Sequence, residues 1–285
     1  MKINVCLYFI LVLQVWLSSC SKLEDNLTEE IADPEPMKIA VTPMIQETSG
    51  MADSKSYSGY IWVHEDSGNP TQLFLLEHSG RVFRTIFIEG VKNRDWEDMA
   101  LVGDQLYLAD IGDNSKTVQE YTIYQFKEPS PSTDTVKNIT PIRFRYPDGS
   151  HDAEAFLVDP KTKDILLLTK QDSLSAIYKL SYPYSTTSTN VAELVGNLPY
   201  PFVVSAAISR DGKEAIVKTY SALYHYRQKT NEPLAEFLLK DFKTLPYRIE
   251  PQGEAVTFAA ADSGYFTLSE KGMAAAVSLY FYKWE

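Results

Sequence analysis

The stretch "RDWEDMALVGDQLYLADIGDN", Arg94 to Asn114, sets acidic residues within two hydrophobic runs that otherwise read as buried β-strands joined by a tight Gly-Asp turn. Its first half has counterparts along the chain. A small or acidic pair followed by an apolar residue and a strand recurs as "SGMA" at Ser49, "EDMA" at Glu97, "EAFL" at Glu154, "SAAI" at Ser205 and "EAVT" at Glu254. Successive intervals are 48, 57, 51 and 49 residues, a length that suits four short strands with their loops. Each motif is followed, after a short turn, by a second strand: "YIWVHEDSG", "QLYLADIGD", "DILLLTKQD", "EAIVKTYS" and "GYFTLSEKG". Two further strands complete each unit. No amphipathic helical period of any length interrupts them.

This repeat predicts an all-β chain folded as a β-propeller of five four-stranded blades, six being the alternative. The fifth unit supplies only three strands before the chain stops, whereas "MKIAVTP", Met37 to Pro43, is a strand without a unit of its own. Pairing the two closes the ring and removes both exposed edges. The expected organisation is therefore residues 37–285 as one propeller domain, preceded by two segments of a different kind.

Residues 1–19, with Lys2 ahead of an apolar run from Val5 to Leu17, read as a secretory signal. The ending "LSSC", Leu17 to Cys20, resembles the bacterial lipobox, which implies a lipoprotein anchored through Cys20. The polar, acidic residues 20–36 then form a tether. "SKLED" after Cys20 resembles the short signal that sends lipoproteins to the outer face of the outer membrane. The resemblance implies a cell-envelope protein exposed at the surface, touching the membrane only through its anchor. The other cysteine, Cys6, lies in the signal, so the mature chain has no disulfide and is stabilised by its core. A monomer is expected.

The formal net charge is −11, and no basic face is available to neutralise phosphates. Nucleic acid is thereby excluded as a partner. Cations fit better.

In a propeller the first strand of each blade lines the central axis, so small residues are expected there: Gly50, Ala155, Ala206 and Ala255. The polar column Ser49, Glu97, Glu154, Ser205 and Glu254 then rings one mouth of the channel. Two residues earlier runs a second column on the same side of the strands: Glu47, Asp95, Asp152, Val203 and Gln252. At the ends of the second strands stand His64, Glu65 and Asp66, Asp110 and Asp113, Lys170 and Asp172, Lys218, and Glu270 with Lys271. A tight hairpin returns these to the same end of each blade.

Clustered carboxylates raise one another's pKa unless a cation sits among them. A hard divalent ion with oxygen ligands answers this, which makes Ca²⁺ the expected cofactor, held by Glu47, Glu97, Asp152, Glu154 and Glu254. Zinc lacks a cysteine or a histidine pair at ligand spacing. His64, Glu65, Asp110, Lys170, Lys218 and Glu270 are the expected contacts for a small-molecule or protein ligand at the mouth. Asp66, Asn69, Asp113 and Asn114 sit in turn sequences that account for them through Asx-turn bonding, and Trp62 and Trp96 read as packing residues.

"ETSGMA", "HEDSGN", "RDWEDMAL", "LYLADIGDN", "YPDGSHDAEAFLVDP", "ISRDGKEAIVKTY" and "PQGEAVTF" together resemble a group of secreted bacterial β-propellers with motifs of the type SGLA, HNDSGN, DWEDIA, DIGDN, DAEAL and QGEA. The resemblance spans about Glu47 to Glu270. More distantly the chain is similar to SdiA-regulated propellers and to β-propeller phytases, which implies a calcium-associated acidic channel. In phytases such a channel supports calcium-assisted phosphomonoester hydrolysis. "DAEA" at Asp152 matches the phytase-like "DAEG". Two functions follow: a Ca²⁺-binding surface module that recognises a ligand, or a Ca²⁺-dependent phosphoesterase in which Lys170 and Lys218 offset phosphate charge and Glu97, Glu154 or Glu254 serves as ligand or base.

Overall fold

The computed structural model describes residues 35–170, 173–260 and 263–284. The signal, Cys20 and nearly all of the tether lie outside them, as does Asp172. Within the described residues a first strand β1 (Met37–Ala40) precedes five sheets. Blade one holds β2 (Thr48–Asp53), β3 (Tyr60–Glu65), β4 (Gln72–Glu77) and β5 (Val82–Ile88). Blade two holds β6 (Trp96–Val102), β7 (Gln105–Asp110), β8 (Tyr121–Lys127) and β10 (Thr140–Arg145), while the intervening β9 (Thr135–Val136) runs parallel to β5 of blade one. Blade three holds β11 (Ala153–Val158), β12 (Ile165–Thr169), β13 (Ala176–Leu180) and β15 (Glu193–Asn197); β14 (Asn190–Val191) adds in parallel to β10. Blade four comprises β16 (Val203–Ile208), β17 (Glu214–Thr219), β18 (Leu223–Arg227) and β19 (Phe242–Leu245), with the one-turn helix α1 (Leu234–Phe237) before its last strand. Blade five consists of β20 (Gly253–Phe258), β21 (Gly264–Ser269) and β22 (Ser278–Lys283), completed by β1, which pairs antiparallel with β22.

The fold is thus a five-bladed propeller closed by its N-terminal strand, and the six-bladed alternative is excluded. Blades one and two depart from four strands. Each gains a fifth, two-residue parallel strand donated by the following blade's outer connection, which covers an otherwise open edge.

Alternating side chains from neighbouring sheets interlock between blades. Trp62, Leu75, Met99 and Leu108 bind blade one to two; Ile123, Phe144, Phe156 and Tyr178 bind two to three. Met51, Ala255, Phe266 and Leu279 close blade five on blade one. Trp62 and Trp96 are fully buried in this packing, their indole N–H groups donating to Glu128 and to the Lys92 carbonyl.

The inner strands β2, β6, β11, β16 and β20 are buried along almost their whole length and neighbour one another around the axis. Each carries one bulge near its start. Thr48 and Gly50, Trp96 and Asp98, Ala153 and Ala155, Val203 and Ser205, and Gly253 and Ala255 pair consecutively with the second strand, so one residue of each pair of neighbours is squeezed out of register. The extruded residues are Ser49, Glu97, Glu154, Val204 and Glu254.

This corrects the sequence alignment in blade four. Val204, not Ser205, is equivalent to the glutamates, and Phe202, not Val203, is equivalent to Asp95 and Asp152. The run "SAAI" invites the wrong match because three small residues in succession satisfy a small-residue template in either register. The pairing of Ser205 with Lys218 decides it.

The axial positions are therefore Gly50, Asp98, Ala155, Ser205 and Ala255, with Ala206 one place further along. Four are small. Asp98 is the exception: it is fully buried and accepts bonds from the amides of Met99 (2.9 Å), Ala206 (3.1 Å) and Phe156 (3.4 Å) and from the Ser205 hydroxyl (3.2 Å). One carboxylate so ties blade two to blades three and four across the axis. Burial pushes its pKa well above the ordinary range, against the pull of those donors.

Candidate functional site

The bulges build the site. At each, the extruded residue is turned out of the ladder, and in every blade but the fourth the end of the second strand folds back onto the residue two places earlier. Asp66 N–H donates to the Glu47 carbonyl, Ile111 N–H to Asp95, Lys170 N–H to Asp152 and Glu270 N–H to Gln252, at 2.9 to 3.2 Å. The two columns and the strand ends thereby meet at one mouth of the channel.

Asp66, Asp95 and Glu97 come closest, with one carboxylate oxygen from each lying within 4.8 Å of the others. Glycine makes this approach available. A Cβ on Gly112, in "DIGDN", would collide with Glu97 Oε1 and lie 2.6 Å from the Asp95 carboxylate. Glu97 is buried, and its pKa is raised far above normal, first by burial and then by the charges of Glu154, Asp66, Asp95 and Glu254. Burial also raises Asp66 and Asp95; Glu254 and Glu47 add to the first, Asp66 and Asp152 to the second. Glu270 is pushed up to about 8 by burial and by its neighbours Glu254, Asp66 and Glu47.

Basic groups neutralise only the flanks. Lys170 forms an ion pair with Glu154 and lies over the Tyr220 ring at 5.3 Å, while the Tyr220 hydroxyl donates to Glu254 (2.8 Å). Burial disfavours the ammonium, yet Glu154 more than compensates and holds Lys170 charged. On the other flank Arg94 reaches Asp110 (3.2 Å) and, more loosely, Asp95 (4.0 Å), and Asp110 accepts the Asp95 amide (3.0 Å).

Of the expected metal ligands, Glu97, Glu154 and Glu254 lie together in this electrostatic cluster. Asp152 flanks it and is fully buried; its Oδ1 accepts the Asp113 amide (2.7 Å), while its Oδ2 has no hydrogen-bond partner among the described residues. Glu47 stands at the exposed rim, bonded by Asn69 (2.6 Å).

Three of the expected ligand contacts are placed elsewhere or spent otherwise. His64 is fully buried, edge-on to Trp96, with its Nδ1 3.1 Å from the Glu65 carbonyl, and burial lowers its pKa to about 4. Glu65 accepts the Gln46 amide (3.0 Å). Lys218 is also fully buried, bonded to the Tyr247 hydroxyl with its ammonium 3.8 Å from that ring's centre. Burial lowers Lys218 to about 8 and raises neighbouring Glu250 to about 7, Glu250 being bonded in turn by Thr267.

The turn sequence accounts for Asp66, which does accept the Ser67 amide (2.5 Å), and the expected ligand set does not include Asp95. Both belong to the tightest carboxylate group. Asp95 had a visible signal, its place two residues before Glu97; Gly112 and the Tyr247 to Glu250 segment had none, since neither recurs in the other blades. Asp113, by contrast, behaves as a turn residue, accepting from the amides of Thr117 and Val118 and from the Tyr121 hydroxyl.

The donor set fits a hard cation. It is all oxygen, crowded, short of positive charge and includes a buried carboxylate oxygen without a partner.

No protein-family model matches this chain, and no curated protein matches it. Among solved structures it is similar to a chain of a nidogen/laminin complex, at 11% identity and a TM-score of 0.47 over 79% of this chain and 72% of that one. It is also similar to the hydrazine synthase of Kuenenia stuttgartiensis, at 10% identity and a TM-score of 0.42 over 82% and 71%.

Proposed function

We propose that the protein is a surface-anchored binding module whose acidic channel mouth holds Ca²⁺ and recognises a small-molecule or protein ligand there. The observation that carries this reading is the convergence of Asp66, Asp95 and Glu97 within 4.8 Å, with Gly112 leaving the space. Glu154 and Glu254 add negative charge to Glu97, and Asp152, whose Oδ2 has no hydrogen-bond partner among the described residues, adds it to Asp95. A bound divalent ion would supply the positive charge that the carboxylates lack and an open coordination position for a ligand oxygen. Residues 1–20 add the proposed route: export, lipidation at Cys20 and display on the outer membrane.

The geometry favours binding over phosphoester hydrolysis. Hydrolysis on the phytase pattern needs Lys170 and Lys218 free to offset phosphate charge. Lys218 is sealed beneath Tyr247, and Lys170 is held by Glu154.

Metal content of the purified protein, with melting temperature followed through chelation and Ca²⁺ readdition, tests the proposal. Ca²⁺ should copurify and its removal should lower the melting temperature by several degrees, an effect that Glu97→Gln reduces. A protein that carries no metal and whose melting is indifferent to chelator and to added Ca²⁺ sinks the reading.

A further inference from the structure

A second site lies at the other end of the molecule, where the inner strands finish. There a cavity of about 470 Å³ opens along the seam at which blade five closes on blade one, a size within the usual range for small-molecule sites. Its wall is apolar: Ile39 of the closing strand, Phe266 and Phe281, whose rings lie 4.8 Å apart, and the face of His78, 4.6 Å from Phe266.

Two cationic side chains, Lys55 and Arg210, line the cavity, and its one carboxylate is already bonded. Asp53 is buried, with its Oδ1 2.6 Å from His78 Nε2 and its Oδ2 accepting the Ala260 amide at 2.6 Å. That carboxylate is spent. Arg210, which follows β16 and lines the same cavity, is exposed and has no carboxylate partner among the described residues. The site therefore presents an apolar, aromatic wall and one available guanidinium, whose planar fork matches a carboxylate.

We infer that this seam cavity binds a small amphiphilic carboxylate, its chain or ring against Phe266, Phe281 and Ile39 and its carboxylate on Arg210. A cationic amphiphile fills the same wall but meets Arg210 as a like charge. A neutral one gains the wall alone. The site is separate from the acidic mouth and does not depend on metal there.

Calorimetric titration of the full chain, in the presence of chelator, with octanoate, octylammonium and octanol decides it. Octanoate should saturate one site and bind about tenfold or more tightly than octylammonium, the usual scale of a charge-assisted hydrogen-bonded pair. Arg210→Gln should reduce that preference severalfold, Lys55 remaining in the lining, while leaving the melting temperature unchanged, and Arg248→Gln, an exposed arginine paired with Glu35, should leave it intact. Failure of octanoate to saturate, equal affinity for octylammonium, or an unchanged preference in Arg210→Gln overturns the inference. Because no metal is present in the titration, its outcome is independent of the calcium reading.

Discussion

Asp98 shows how one residue can belong to the fold while looking like part of a site. It stands in the same acidic run as Asp95 and Glu97, but the bulge at Glu97 sends the two neighbours in different directions. Glu97 joins the carboxylates at the mouth, and Asp98 enters the axis to accept three amides and a hydroxyl. Removing it leaves several buried donors without partners, each costing about 1–3 kcal/mol. Asp98→Ala should therefore lower unfolding free energy by about 3–5 kcal/mol in chemical denaturation, a loss on the scale of other broken buried networks. Asp98→Asn, which keeps an acceptor oxygen, should cost clearly less. Equal stability of wild type and Asp98→Ala would show that the axial bonds contribute nothing net.

At the scale of the element, the bulged inner strand is the device that converts a repeat into a site. Five bulges at equivalent positions extrude three glutamates, a serine and a valine, and blade four contributes no acid there. The acidic mouth is consequently one-sided, with its closest carboxylates on blades one and two. The closing strand β1 matters in a different way. Its four residues pair with β22 along their whole length, and Ile39 packs against the core between blades five and one. A chain beginning at residue 41 should melt roughly 10 °C below one beginning at residue 37, since a few kcal/mol shifts a domain of this size by that much. It should also aggregate more readily through the uncovered edge of β22. Differential scanning calorimetry and light scattering of the two chains would check both effects, and identical melting would mean that the ring closes without β1.

For the whole molecule the deciding quantity is uncompensated negative charge at one mouth. In the unfolded chain these carboxyl groups titrate near 4, whereas in the folded protein Glu270 is pushed up to about 8 and Glu97 and Glu154 are well above normal, burial being the leading cause in each. Between those limits the folded state binds more protons than the unfolded one, so stability falls as pH rises. His64, lowered to about 4 by burial, opposes this only below its ordinary pKa near 6.5, and Lys218 only above about 8. The clean window is thus pH 6.5 to 8. In chelator the melting temperature should drop across it, and Ca²⁺ should restore most stability at the upper end, where the carboxylates are ionised. Glu270→Gln should flatten the chelator profile. A profile that rises with pH in chelator would mean that the cluster is already neutralised by Lys170 and Arg94.

Much of this architecture was legible in the residues because it depends on local, repeated chemistry. Turn sequences, β-branched and aromatic runs and a period near fifty residues define blades, and an unpaired first strand beside a three-stranded last blade defines closure. What the sequence determined, then, was the propeller repeat, the closing strand and the presence of an acidic mouth, while the structure decided between five blades and six. The tertiary structure decided which acids meet. A bulge displaces the alternation by one residue, so Asp98 and Ser205 pass to the axis, Val204 takes a place at the mouth and Asp66 joins Asp95 and Glu97 from another blade. It also decided the fate of the basic residues: Lys218 and Lys170 occupy matching strand ends in the sequence, yet one is buried under Tyr247 and the other paired at the mouth. The physical reason is the same in each case. Periodicity reports the direction of a side chain along its own strand, whereas proximity, burial and charge compensation are set by residues on other strands and other blades, 16 positions away for Lys170 and Glu154 and 107 for Ser205 and Asp98.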